Sequence, residues 1–133
     1  GGDITTLDTK ISFIDPNGSA GAIKTANGAT QYTSASDYRL KENEVTLPDG
    51  LTRLEKLKPY RFNFKAHKDK TVDGFFAHEV QDIVPEAVSG EKDAVDSDGN
   101  IDAQGIDQSK LVPLLVKAVQ ELSAKVKELE AKV

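Results

Sequence analysis

Six residues, Ser36-Asp37-Tyr38-Arg39-Leu40-Lys41, place a hydroxyl, a carboxylate, a guanidinium and an amine within one short stretch. A serine hydroxyl attacks a carbonyl when a neighbouring group takes its proton, and a neutral lysine amine can be that group. Ser36 and Lys41 lie five residues apart, where the chain changes character. Before Ser36 the sequence is rich in Gly, Thr, Ser and Ala; after it, charged stretches and prolines take over. A nucleophile and a base at such a boundary read as a self-cleavage point. The same residues also read as an ordinary turn or cap opening, because Ser and Asp side chains bond to nearby backbone amides.

The elements around this stretch must position it. Upstream, Ile11-Ser12-Phe13 alternates as a half-buried strand does. Pro16-Asn17-Gly18 supplies a turn, and Asn27-Gly28 is a hairpin signal between strands expected over Ala20–Thr25 and Ala29–Thr33. These segments carry few large side chains, so alone they do not offset the entropy of ordering their backbone. They are expected to be ordered by stacking with strands of other subunits, the alternative being a disordered Gly/Thr-rich tail.

Downstream, Leu51, Leu54 and Leu57 recur at threefold spacing, a short helix that Pro59 terminates. Tyr60, Phe62 and Phe64 alternate with Arg61 and Asn63, a strand with an aromatic face. His67 to Lys70 reads as a charged turn, Gly74 to Ala77 as a second strand and His78 to Ile83 as a helical turn or two. The aromatic side chains concentrate here, so the core is expected here. Ser97-Asp98-Gly99-Asn100, between Ala94-Val95 and Ile101, reads as a protruding hairpin. The fold class is α+β.

The last segment carries the clearest periodicity. Val112, Val119, Val126 and Val133 repeat every seven residues, with Leu115, Leu122 and Leu129 between them. That is an a/d seam. Lys125 falls at g and Glu130 at the following e, placed for an interchain ion pair in a parallel bundle. With Ser109 as N-cap and Pro113 in the first turn, the helix would run roughly 37 Å. A helix packed on its own domain is the alternative; the regularity of the seam favours a parallel coiled coil. Val at a with Leu at d leans toward two strands.

The chain has 133 residues and a formal charge of −5, which gives no broad basic field, so nucleic acid is not an expected partner. There is no Cys, hence no thiol chemistry. No apolar run approaches the roughly 18 residues of a membrane helix and no leader is visible, so a soluble chain with no membrane partner is expected. Trp and Met are absent, and three Tyr and five Phe are a thin supply for a lone globule, so self-association is the natural way to complete the core. His67 and His78, eleven residues apart with no third ligand, do not suggest a metal. Asp96-x-Asp98-x-Asn100 hints at a calcium loop, but Ile101 stands where that loop needs Gly, so it reads as a turn. No cofactor is expected.

Several motifs in order carry a family resemblance: Ser36-Asp37-x-Arg39-Leu40-Lys41-Glu42-Asn43, Leu57-Lys58-Pro59-Tyr60-Arg61-Phe62, Gly74-Phe75-Phe76-Ala77-His78-Glu79-Val80, Pro85-Glu86-Ala87-Val88, and Leu111-Val112 through Leu122. From about Ser34 onward the chain resembles the C-terminal intramolecular chaperone, of endosialidase type, of phage tailspikes and tail fibres, also found in myelin regulatory factor-like proteins. The resemblance implies that residues 1–35 are the tip of a fibre and residues 36–133 its chaperone. The chaperone would comprise an α+β body over 36–108 and a coiled-coil helix over 109–133. It implies a homotrimer that templates the fibre segment of its own chain. It further implies a cut at Ala35–Ser36 with Ser36 as nucleophile, Lys41 as base and Asp37 and Arg39 in support. The family more often has Gln where His78 stands. The fibre would belong to the virion after assembly in the host cytoplasm, where the released chaperone would remain. The rival readings are a non-catalytic trimerisation and adhesion tip, and a Ser-Lys peptidase acting on other proteins, for which no substrate-pocket motif is visible.

The Ser36 hydroxyl lies on the leaving-group side of that bond. The simplest path is an N-to-O acyl shift followed by ester hydrolysis, although a serine of a neighbouring chain could make the same attack. An ordinary lysine amine, with a pKa of ~10.4, costs about 4.6 kcal/mol to neutralise at pH 7. Burial lowers that cost. A chain short of core material is expected to bury Lys41 at an oligomer interface, so that cleavage waits for assembly. Asp37 would oppose this if it faced Lys41, so it is expected to turn to Arg39 or a backbone amide.

Overall fold

The computed structural model describes residues 7–133; residues 1–6, where the expected tip segment begins, lie outside the described residues. Two compact units divide between Val45 and Thr46.

The first unit is an antiparallel meander of β1 (Asp8–Asp15), β2 (Gly18–Ala26) and β3 (Ala29–Ser34). Asn27 and Gly28 both take positive φ, 51° and 76°, the geometry of the tight hairpin turn that their dipeptide predicts. The register lines up Ile11, Ile23 and Tyr32 across the three strands. Ile11, Phe13 and Tyr32 are nonetheless exposed, while Ala22 is buried. A single sheet has no second layer to cover this apolar row.

The second unit mixes helix and sheet: α1 (Gly50–Leu54), β4 (Tyr60–Asn63), β5 (Thr71–Gly74), α2 (Ala77–Gln81), β6 (Val88–Ser89), β7 (Gly105–Ile106) and α3 (Val112–Ala131). β4 pairs with β5 and β6 with β7, both antiparallel. Val80, Val84, Ala87, Leu111 and Leu114 form the buried core, with Leu57, Phe75, Ile83, Val88 and Ile106 packed against it. Between β6 and β7 the bridge Val95–Ile101 closes the expected hairpin. There Asp96 Oδ1 accepts from the amides of Asp98 (2.8 Å) and Asn100 (3.0 Å), as in an Asx turn.

Three expectations need correction. The strand expected at Gly74–Ala77 lies earlier, at Thr71–Gly74, because β-branched Val72 pairs with Phe62 while Phe75 turns into the core. The aromatic face is not the core: Tyr60 and Phe64 are exposed and Phe62 only half-buried, since no second sheet packs on the two-stranded ribbon among the described residues and Tyr60 meets only the edge residues Phe76 and Glu79. Ser109 is not the N-cap. Asp107 caps the 3-10 turn over Gln108–Leu111 that leads into α3, its Oδ1 accepting from the Ser109 amide (3.1 Å) and hydroxyl (2.6 Å), and α3 itself starts after Leu111 with no side-chain cap.

α3 presents two faces. Leu114 and Ala118, with Leu111 of the preceding turn, are buried within the unit. The seam is not: Val112, Leu115, Val119, Leu122, Val126 and Leu129 are each between 45% and 63% exposed, and Val133 beyond the helix end is fully so.

Candidate functional site

The site starts where β3 ends. The Ala35 amide donates to the Ala20 carbonyl at 2.8 Å, extending the β2–β3 ladder by one bond and fixing the chain just before Ser36. Asp37 is extended (φ −68°, ψ 136°) and caps a 3-10 turn over Tyr38–Leu40. Leu40 N–H donates to the Asp37 carbonyl and Lys41 N–H to the Tyr38 carbonyl, each at 3.1 Å. This tight turn carries the chain back on itself, so the Lys41 side chain reaches Ser36 and Nζ donates to Ser36 Oγ at 2.7 Å.

Asp37 does not compete for that amine. Its Oδ1 accepts from the Arg39 amide and Arg39 Nε, and its Oδ2 from Nη2, all at 2.9 Å. The Arg39 guanidinium, helped by the Arg39 amide, holds the Asp37 carboxyl below the usual carboxylate range, and Asp37 in turn raises Arg39. One carboxylate thus caps the turn and neutralises the arginine, which leaves Lys41 facing the hydroxyl.

All of these side chains stand in solvent, and so do two large apolar ones beside them: Tyr38 is 82% and Leu40 73% exposed. A serine hydroxyl within hydrogen-bond reach of a lysine amine is the arrangement that a nucleophile and a general base would need.

The remaining candidates lie elsewhere. His78 sits in α2 and stacks on Phe76, with ring centroids 6.1 Å apart; the His67 amide closes a turn on the Phe64 carbonyl. Among the described residues no group of three or more His, Cys, Asp or Glu side chains is arranged to hold a metal ion. No helix of the described residues is long and apolar enough to cross a membrane. The seam residues run along the uncovered face of α3.

One residue escaped the sequence reading. Glu121 of α3 accepts from the amides of Gly50 (3.1 Å) and Leu51 (2.9 Å), capping α1 from 70 residues away. Those two amides, Leu51 first, hold its carboxyl below the usual range. Asp49, in the left-handed region at φ 55°, makes no side-chain cap of its own. No local pattern announces such a pairing.

Residues 36–89 match the family model described as chaperone of endosialidase, of the peptidase S74 family, and the match begins at Ser36. The chain is 36% identical over 124 residues to the long tail fiber protein Gp37 of Enterobacteria phage K3, covering 90% of this chain and 10% of that one. It is also 36% identical over 124 residues to the Gp37 of Enterobacteria phage T2, covering 90% of this chain and 9% of that one. With the Gp37 of Enterobacteria phage M1 it shares 39% identity over 101 residues, 71% of this chain and 38% of the relative. The chain thus spans about a tenth of the length of the first two relatives.

Proposed function

We propose that this chain, which belongs over residues 36–89 to the chaperone-of-endosialidase family, joins a phage tail-fibre segment to the chaperone that assembles it. The reading is of three chains brought into register by the α3 seam. The chaperone orders the β strands upstream of Ser36, then leaves by one cut per chain at Ala35–Ser36. The fibre remains on the virion tail. The match to the family and the tail-fibre relatives support the chaperone role.

The observation that carries the cut is the 2.7 Å hydrogen bond between Lys41 Nζ and Ser36 Oγ. In the proposed step, neutral Lys41 takes the hydroxyl proton as Oγ attacks the Ala35 carbonyl carbon. The tetrahedral intermediate expels the Ser36 nitrogen, which receives the proton back from Lys41. An ester now joins Ala35 to Ser36 Oγ. Water hydrolyses it to an Ala35 carboxylate and a free Ser36 amine and hydroxyl. Each chain turns over once.

Assembly supplies what the single chain lacks. Tyr38 and Leu40 flank the dyad with uncovered apolar surface, and covering it by neighbouring chains would remove the water that keeps an amine charged. The same exposure favours a second reading, in which the domain trimerises the fibre and Ser36 has no chemistry. Gel mobility under denaturing conditions, followed over time after expression, tests the two. The proposal expects the full-length band to give way to two fragments; a persistent single band in assembled protein would support the non-catalytic reading.

A further inference from the structure

Opposite the bond that the proposed cut would break, β2 departs from a regular ladder. Phe13 of β1 pairs with Gly21 and Ile14 with Ser19, so Ala20 is an extra residue on β2 with no partner in β1. Such a bulge re-aims the backbone and is common beside active sites. Here the Ala20 carbonyl takes the Ala35 amide at 2.8 Å. Two further contacts fall on the next residues of β2. Thr33 Oγ1 donates to the carbonyl of Ala22, a buried residue, at 3.2 Å. Gly21 pairs with Ser34, so close to the neighbouring strand that a Cβ built on it would overlap the Thr33 carbonyl oxygen and stand 3.4 Å from Ser34 Cα. Three consecutive residues of β2 thus hold the three residues that precede Ser36. We propose that Gly21 is a positioning residue for the cut: lacking a side chain, it lets β2 close on Thr33–Ala35 and keeps the Ala35 carbonyl still while Ser36 Oγ attacks it. This rests on the cleavage proposed above and names what holds its substrate peptide.

The argument is one of torsions. The peptide bond between Ala35 and Ser36 is planar, so only rotations about the Ser36 N–Cα and Cα–Cβ bonds set where Oγ stands against the Ala35 carbonyl carbon. Lys41 fixes the Oγ end through its 2.7 Å hydrogen bond, and the turn capped by Asp37 carries Lys41. The acyl end is fixed from β2, by the Ala20 carbonyl and by the close approach at Gly21. With both ends held, the two rotations are no longer free, and the attack needs no search. A methyl group on Gly21 would push Thr33 and the residues after it away from β2. Relieving that overlap moves the strand by on the order of 1 Å, and a misplacement of that size costs up to about a hundredfold in rate.

The experiment follows the cut by intact mass across a pH series, in the full chain, after sedimentation has shown assembly. Gly21→Ala should cut at least about tenfold more slowly than wild type at every pH. The pH midpoint of the rate, which reports the base, should stay where it is in wild type; a site merely loosened and opened to water would show a shifted one. Ala26→Gly weakens the same β2–β3 ladder at its far end, where Ala26 pairs with Ala29, and should change the rate less than about twofold. If Gly21→Ala does not assemble, Thr33→Val decides: it is close in shape, lacks the hydroxyl donor, and should slow the cut at least about twofold with the same midpoint. A smaller loss in the deciding variant, a shifted midpoint, or an equal loss in Ala26→Gly would overturn the positioning role and leave the cut standing. A wild-type oligomer that stays uncut would overturn the cut, and the positioning role with it.

Discussion

Gly50 on α1 meets Ala118 on α3 so closely that a Cβ built on Gly50 would stand 2.8 Å from the Ala118 nitrogen and 2.9 Å from the Lys117 carbonyl carbon. The obstacle is backbone of a long helix, which cannot swing aside. Gly50→Ala should therefore push α1 off α3 and cost roughly 1–3 kcal/mol, the usual range for overpacking. Urea unfolding should show a lower midpoint with little change in slope.

Glu121 holds the same junction electrostatically. Its carboxyl is depressed below the ordinary value of 4.5 by the Leu51 and Gly50 amides, with Lys117 and Lys125 adding smaller attraction. A depressed carboxyl contributes stability that is fully present above its unfolded value and is lost as pH falls through the folded one. Wild type should thus exceed Glu121→Gln in unfolding free energy near neutrality, and the gap should close as the pH is lowered through about 4.5 and below. Unfolding midpoints from pH 7 to pH 3 measure the gap; a constant difference would exclude the charge as its source.

Leu114 and Leu122 occupy different faces of α3, one 2% and the other 51% exposed. Leu114→Ala should lower the stability of the unit itself by roughly 2–5 kcal/mol. Leu122→Asp should leave the unit folded and dissociate the oligomer, because it charges a d position that only a partner would cover. Sedimentation beside circular dichroism separates the two effects. An unchanged oligomer in Leu122→Asp would contradict the seam.

What the sequence disclosed was local or periodic. The Asn27-Gly28 turn follows from the φ values those residues tolerate, and the Val/Leu row of α3 is written at heptad spacing, whereas the second face, where Leu114 and Ala118 pack on the helix's own unit, was not read. The Ser36–Lys41 contact was legible because five residues and a 3-10 turn are enough to close it. What was hidden depends on distant partners. The aromatic alternation of Tyr60, Phe62 and Phe64 suggested a core, but alternation does not say whether a second layer exists. Val80 and Val84, the largest of the fully buried side chains, were not read as core, because so short an apolar segment shows too few turns to mark a buried face. Ser109 lies inside a 3-10 turn that Asp107 caps, because both residues suit a cap and only the backbone geometry chooses between them.

Coupling between assembly and chemistry is testable on the same variants. Cleavage should be first order within assembled wild type, independent of total concentration once assembly is complete. In the monomeric but folded Leu122→Asp chain it should be at least a hundredfold slower at neutral pH, on the order of 3 kcal/mol in barrier. Equal rates in both would mean that one chain activates its own dyad without a neighbour.

The most direct measurement is the intact mass of freshly assembled wild type, Ser36→Ala and Lys41→Ala, taken at intervals after oligomer formation is confirmed by sedimentation. The account predicts two wild-type fragments, one ending at Ala35 and one beginning with a free amine at Ser36, and only full-length chain in both equally assembled variants. Fragments of the same mass from either variant, or an uncut wild-type oligomer, would contradict it.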